Sequence, residues 1–145
     1  MALVTDATGN DLTGLLIGLA MEVHNEIGSG FKEDVYEKAM AFKIKKRSVE
    51  VERQYKFNVE YEGEQVASFE LDLFVAKLVV VEIKAFARPL SRREETQTIN
   101  YLKTTGAPVG LLFNFGRSRL EFRRLFPGKP TKLTHRAITV PDAEQ

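Results

Sequence analysis

The chain has 145 residues, about one domain's worth, of which 43% are hydrophobic and 28% charged, the balance of a soluble globular protein. It has no cysteine and only two histidines, His24 and His135. That excludes disulfides, thiolate zinc sites, iron–sulfur clusters and cysteine nucleophiles, and argues against histidine-rich metal sites and histidine triads.

Asp11 can cap a helix over about 12–27, where Leu12, Leu15, Leu16, Leu19, Ala20, Val23 and Ile27 follow helical spacing. Gly28-Ser29-Gly30 ends it. A second helix is predicted over about 32–47, with Val35, Tyr36, Ala39 and Met40 on one side. Its last turn carries Lys43, Lys45, Lys46 and Arg47, where cations suit the helix dipole. The period then changes to two: Tyr55, Phe57, Val59 and Tyr61 read as a strand, Glu62-Gly63 as a turn, and 67–75 as a second strand. The run over 78–84 is continuously apolar at first rather than alternating, which predicts a strand buried on both faces near the sheet centre. Pro89 breaks the chain, and Ser91 and Glu94 have capping-box spacing at the start of a third helix over 92–105. Gly106 closes that helix and Pro108 prevents its continuation. Strands over 109–115 and 120–126 follow as a hairpin. A helix between the strands at 78–84 and 109–115 predicts that these two are parallel.

The order α-α-β-β-β-α-β-β describes a single α/β domain with a mixed central sheet flanked by helices. It spans 11–126, between a flexible N-terminus over 1–10 and a loosely attached tail over 127–145, in which RAITV is a candidate extra strand. The longest apolar runs, 78–81 among them, are far too short to cross a bilayer, and the N-terminus lacks the basic region of a secretory signal. A cytoplasmic protein without a membrane partner is therefore expected.

The stretch FELDLFVAKLVVVEIKA, residues 69–85, carries the chemistry. Asp72 lies on one predicted strand, and Glu82 and Lys84 lie two apart on the next, so their side chains share a face. Hairpin geometry can bring Asp72 beside Glu82. Two close carboxylates repel, and burial raises the cost. A divalent cation would remove both problems, and a few hard oxygen ligands suit Mg²⁺ or Mn²⁺. Such an ion activates water and neutralises charge on a phosphate, while a lysine beside it holds the attacking water or stabilises developing charge. The simpler alternative is an ordinary Asp72–Lys84 ion pair with Glu82 as a strand-end charge. Gln54 is a lesser candidate on the neighbouring strand.

The pattern D-x9-E-x-K on adjacent strands, with helices before and after, resembles the PD-(D/E)XK nuclease superfamily. More closely, the chain resembles the small bacterial GxxExxY proteins. The motif stands as GFKEDVYE, with Gly30, Glu33, Tyr36 and Glu37, beside VHNEIGSGF, RQYKFNVEY, QTINYLK and GLLFNFG, over about 11–126. The resemblance implies a restriction-endonuclease-like core and a metal-dependent nuclease, in which a metal-activated water hydrolyses phosphodiester bonds of DNA or RNA. It implies Asp72 and Glu82 as metal ligands, the Ile83 carbonyl as a third, and Lys84 as the catalytic lysine. Glu33 matches the helix glutamate that reaches the metal directly or through water. Gln97 and Tyr101 match a Q-x-x-x-Y motif of RecB-like nucleases, and their spacing puts both on one helix face. Leu71 stands where the superfamily often has proline, and His24 matches a histidine frequent in GxxExxY proteins.

Each motif residue also has a structural reading. Glu33 can act on the helix dipole, Tyr36 on core packing, His24 as a satisfied structural histidine, and Gln97 and Tyr101 as a hydrogen-bonded pair. Charge is distributed unevenly. Residues 1–83 hold 9 Lys/Arg against 15 Asp/Glu, whereas 84–136 hold 12 against 3. Arg88, Arg92, Arg93 and Lys103 flank the third helix, and Arg117, Arg119, Arg123 and Arg124 follow on the terminal hairpin. Such a rim would draw a polyanion to an acidic metal site, with Arg88, Arg92, Arg93 and Tyr101 on the substrate. Two other readings are a catalytically silent nuclease fold that binds nucleic acid, and a protein-interaction module. So short a chain leaves specificity to a homodimer or a partner protein.

Overall fold

A continuous sheet of strong β-formers divides two layers of helices in the computed structural model, which describes residues 10–138. The expected flexible stretch up to residue 9 and the tail beyond 138 lie outside the described residues.

Helices α1 (Asn10–Ile27) and α2 (Glu33–Lys46) form a hairpin, followed by the antiparallel strands β1 (Val51–Tyr61), β2 (Glu64–Val75) and β3 (Val79–Lys84). Helix α3 (Arg92–Thr105) crosses over to β4 (Val109–Asn114), which lies parallel to β3. Strand β5 (Glu121–Leu125) pairs antiparallel with β4, and β6 (Thr134–Ala137) pairs antiparallel with β1. The sheet order is β5-β4-β3-β2-β1-β6. The continuous apolar run of β3 thus sits inside the sheet, with each of its first five residues buried.

Several boundaries differ from the sequence reading, among them the start of β2, at Glu64 rather than 67. β1 begins at Val51 rather than Tyr55, because Val51, Glu52 and Arg53 pair with Val75, Phe74 and Leu73 without an alternating pattern of their own. The strand in the tail covers Thr134–Ala137, overlapping RAITV at Arg136 and Ala137, and Ile138 N–H donates to the Lys56 carbonyl at 2.9 Å, while residues 139 and 140 of RAITV lie outside the described residues. The segment after Phe126 therefore returns to the sheet. Across β1, His135 meets the Phe57 ring with centroids 5.7 Å apart.

The core is split by the sheet. Leu12, Leu16, Leu19 and Val23 of α1 and Tyr36, Met40 and Ile44 of α2 pack on Leu73, Val81, Ile83, Leu111 and Phe113. On the other face, Tyr101 and Leu102 of α3 pack on Phe57, Leu71, Phe74 and Val80. Leu71 and Leu73 lie two apart yet serve opposite layers, which strict alternation forbids. The reason is on β1: Gln54, between the pairs Arg53↔Leu73 and Tyr55↔Leu71, has φ 52°. A non-glycine residue in this left-handed region turns the pleat over. The face of the hairpin changes at Asp72.

Two contacts set the ends of the elements around it. Tyr36, fully buried, stacks on Phe115 at 4.6 Å and donates its hydroxyl to the Gly28 carbonyl at 2.6 Å, tying α2 to the end of α1. Gly116 passes so close to the segment after β3 that a Cβ there would lie 2.4 Å from the Phe86 carbonyl oxygen. Buried Asn114 secures the same segment. Its Oδ1 accepts from Phe86 N–H at 2.8 Å, and its Nδ2 donates to the Arg88 carbonyl at 2.9 Å.

Candidate active site

The β2–β3 ladder runs through Val75↔Val79 and Phe74↔Val80 to Leu73↔Val81, and stops there. One position further, side chains replace backbone acceptors. Asp72 N–H donates to Glu82 Oε2 at 2.9 Å, and Ile83 N–H donates to Asp72 Oδ2 at 2.7 Å. This reciprocal exchange holds each carboxylate in place and satisfies the backbone groups that the ended ladder frees. Asp72 Oδ1 and Glu82 Oε1 accept no hydrogen bond from a described residue.

The electrostatics are unfavourable for two anions. Glu82 is only 4% exposed, and burial, followed by the Asp72 charge, holds its carboxyl well above the usual range. Burial also raises Asp72, with Glu33 and Glu70 adding to the effect and the Ile83 N–H and Lys84 opposing it. Lys84 thus acts on both carboxylates by its charge, but no salt bridge joins it to either among the described residues. The simple Asp72–Lys84 ion pair does not form.

Lys84, Phe86, Arg88, Arg93, Glu94 and Gln97 line a cleft of about 440 Å³, which reaches the end of β3 at Lys84, two residues beyond Glu82. The catalytic lysine candidate, two of the three arginines and the glutamine therefore come together. Arg88 lies over the Phe86 ring at 4.0 Å and is ion-paired with Glu94 at 3.1 Å. Arg92 is exposed at the start of α3 and does not line this cleft. Tyr101, one turn beyond Gln97, is buried against Phe57 and Phe69. Burial, then the charges of Glu82 and Asp72, push its hydroxyl up to about 12, so it stays neutral next to the pair.

Glu33 is exposed in the first turn of α2. Its charge reaches Asp72, yet among the described residues no three His, Asp or Glu side chains converge to hold an ion. One turn further along α2 stands an acid that the sequence reading placed in the GFKEDVYE motif but gave no role. Glu37 is 5% exposed and accepts from Arg53 on β1, with Nη2 at 3.0 Å and Nε at 3.1 Å. Burial and Asp72 raise its carboxyl while Arg53 opposes them. The four-residue spacing of Glu33 and Glu37 was the available signal. His24 is structural: its Nε2 donates to the Arg117 carbonyl at 2.9 Å.

A family model described as the PD-(D/E)XK nuclease superfamily matches residues 10–125. The chain belongs to the PD-(D/E)XK nuclease superfamily. No curated protein and no solved structure matches it. For a PD-(D/E)XK protein the architecture fits: three helices around a six-stranded mixed sheet are consistent with a restriction-endonuclease-like fold. Membership points to a nuclease-type function and to nucleic acid as the interacting molecule. PD-(D/E)XK nucleases generally use divalent metals. Among the described residues, no helix is long and apolar enough to cross a membrane.

Proposed function

We propose that the chain is a metal-dependent nuclease of the GxxExxY type, hydrolysing phosphodiester bonds of DNA or RNA. The observation that carries this reading is the reciprocal Asp72–Glu82 exchange at the end of the β2–β3 ladder, with Lys84 on the same face.

The donor set fits a divalent ion. Two carboxylates raised by burial, Asp72 also by Glu33 and Glu70 and Glu82 also by Asp72, call for a counter-charge, and each has a second oxygen to offer. The N–H and C=O of one strand residue face the same edge, so the Ile83 carbonyl is directed toward Asp72, as its N–H is. Two carboxylates and one carbonyl suit Mg²⁺ or Mn²⁺, which keep several waters. Asp72, Glu82 and the Ile83 carbonyl would hold the ion, which would supply positive charge to the phosphate and lower the pKa of a water. Glu33 and Glu37 act on this pair from α2 by their charges, and Glu33 would meet the ion through a water.

The chain's own groups complete the chemistry. Lys84 holds the attacking water and offsets the charge that develops on the phosphate. Neutral Tyr101 has a proton to donate. Gln97, Arg93 and Arg88, in the cleft with Lys84, orient the phosphate, and Arg92 extends the basic rim along α3.

Cleavage of plasmid, linear duplex and single-stranded DNA, and of RNA, with Mg²⁺ or Mn²⁺ tests the reading. Lys84→Ala and Asp72→Asn should lower the rate by at least about 10²-fold, and a chelator should abolish it. No cleavage of any substrate by the wild type, or equal cleavage by Lys84→Ala, would reject the nuclease. Salt-sensitive binding without cleavage would indicate a silent nucleic-acid-binding module.

A further inference from the structure

Beyond the carboxylates, on the α3 side, lies a second cleft of about 420 Å³ whose walls include Phe69, Asn100, Lys103, Lys129, Pro130 and Leu133. Its size is within the range of small-molecule sites. Phe69 is 39% exposed, unusual for a large ring this close to a core. Its ring touches Tyr101 at 5.4 Å, and Tyr101 feels the charges of Glu82 and Asp72. Phe69 thus links the cleft to Tyr101 on the α3 face of the sheet. Lys103 and Lys129 form no ion pair with a described residue.

We propose that this cleft binds one unpaired nucleotide of a nucleic-acid strand, with its base against Phe69 and a flanking phosphate on Lys103 and Lys129. The inference rests on the nuclease reading and specifies the substrate: a single-stranded stretch or a frayed end. An aromatic face beside unpaired ammonium groups matches the two parts of a nucleotide. Leu133 and Pro130 exclude water from the base, and the Asn100 amide, with donors and acceptor, can meet its polar edge. A base inside a duplex has both faces covered by its neighbours, so only an unpaired base can present one to Phe69.

Binding is measured in a chelator, without turnover, by fluorescence anisotropy of the full chain with three labelled probes. These are a short thymine oligonucleotide, an abasic oligonucleotide of the same length, and a blunt duplex. The wild type should bind the thymine strand about fivefold or more tighter than the abasic strand, on the scale of one base–aromatic stack. Phe69→Ala should remove that preference and leave abasic binding unchanged. Phe69→Tyr should retain it, and Phe69→Leu, which keeps apolar volume without a ring, should lose it. Lys103→Gln with Lys129→Gln should weaken both strands alike and lower the salt slope by about 1–2.

Equal affinity for the thymine and abasic strands, indifference to Phe69→Ala, or tighter binding of the blunt duplex would overturn the inference. The two readings fail separately. A chain that shows the Phe69-dependent preference but cuts nothing rejects only the nuclease. A chain that cuts, with binding indifferent to Phe69, rejects only this cleft.

Discussion

Asp72 and Glu82 are held in an arrangement that opposes folding of the metal-free chain. Folding raises both carboxyls above their ordinary range. A raised carboxyl contributes stability that is present below its unfolded pKa and is lost as pH rises through its folded pKa. The metal-free protein should therefore weaken as pH rises through those values. Asp72→Asn keeps a carbonyl acceptor for Ile83 N–H and removes the repulsion. At about pH 8 in a chelator it should stabilise by about 1 kcal/mol, a Tm rise of about 3 °C. Calorimetry checks this, and a lower Tm would show that the pair stabilises the fold. If the pair holds Mg²⁺ as proposed, the wild type should gain Tm with Mg²⁺ and the same variant should lose that gain. Asp72, Glu82 and Lys84 were legible in the sequence because strand periodicity and a short spacing define their shared face. Glu37 was not, because its burial and its ion pair come from Arg53 across the α2–β1 contact. Its four-residue spacing from Glu33 marks a shared helix face, but not the burial or the ion pair.

Helix α3 shows how local signals succeed. Ser91 and Gly106 bracket it, and the observed bounds are those the sequence predicts. Glu94 accepts from Ser91 N–H at 2.7 Å and from Arg88 at 3.1 Å. The Arg88 hydrogen bond is the main reason its carboxyl is lowered to about 2. A lowered carboxyl contributes stability that is present above its ordinary value of 4.5 and is lost as pH falls toward about 2. Glu94→Gln should therefore cost about 1 kcal/mol at neutral pH and flatten the stability curve between these two values. Urea titrations across that range check this, and an unchanged acid slope would remove Glu94 as its cause. β1 shows where local signals stop. Its first residues are assigned to the sheet by pairing with Val75, Phe74 and Leu73, and by nothing in their own pattern.

At the scale of the molecule, β6 converts the expected tail into an edge of the sheet. It pairs with β1 from Phe57↔Ala137 to Glu60↔Thr134, and Leu133 packs beneath it against the α3-side core. Ending the chain at Phe126 would expose the β1 edge and the Phe57 ring. We expect a loss of about 2 kcal/mol, a Tm lower by about 6 °C, and more aggregation, since an uncovered edge invites pairing. A shortened chain with the wild-type Tm would show that β6 adds no stability. The deletion also removes Lys129 and one wall of the Phe69 cleft.

The sequence alone determined the order of elements, the central place of β3, its parallel pairing with β4, and the spacing that joins Asp72, Glu82 and Lys84. Those features follow from short-range rules of periodicity, capping and crossover length. Only the tertiary structure decided the turn of the hairpin face at Gln54 and Asp72, the Glu37–Arg53 pair, the Asn114 clamp behind Lys84, and the Phe69 cleft. Each depends on which distant segments meet. A side chain's burial and charge environment belong to its neighbours in space, and those can lie far away along this chain: 16 residues for Glu37 and Arg53, and 28 for Asn114 and Phe86.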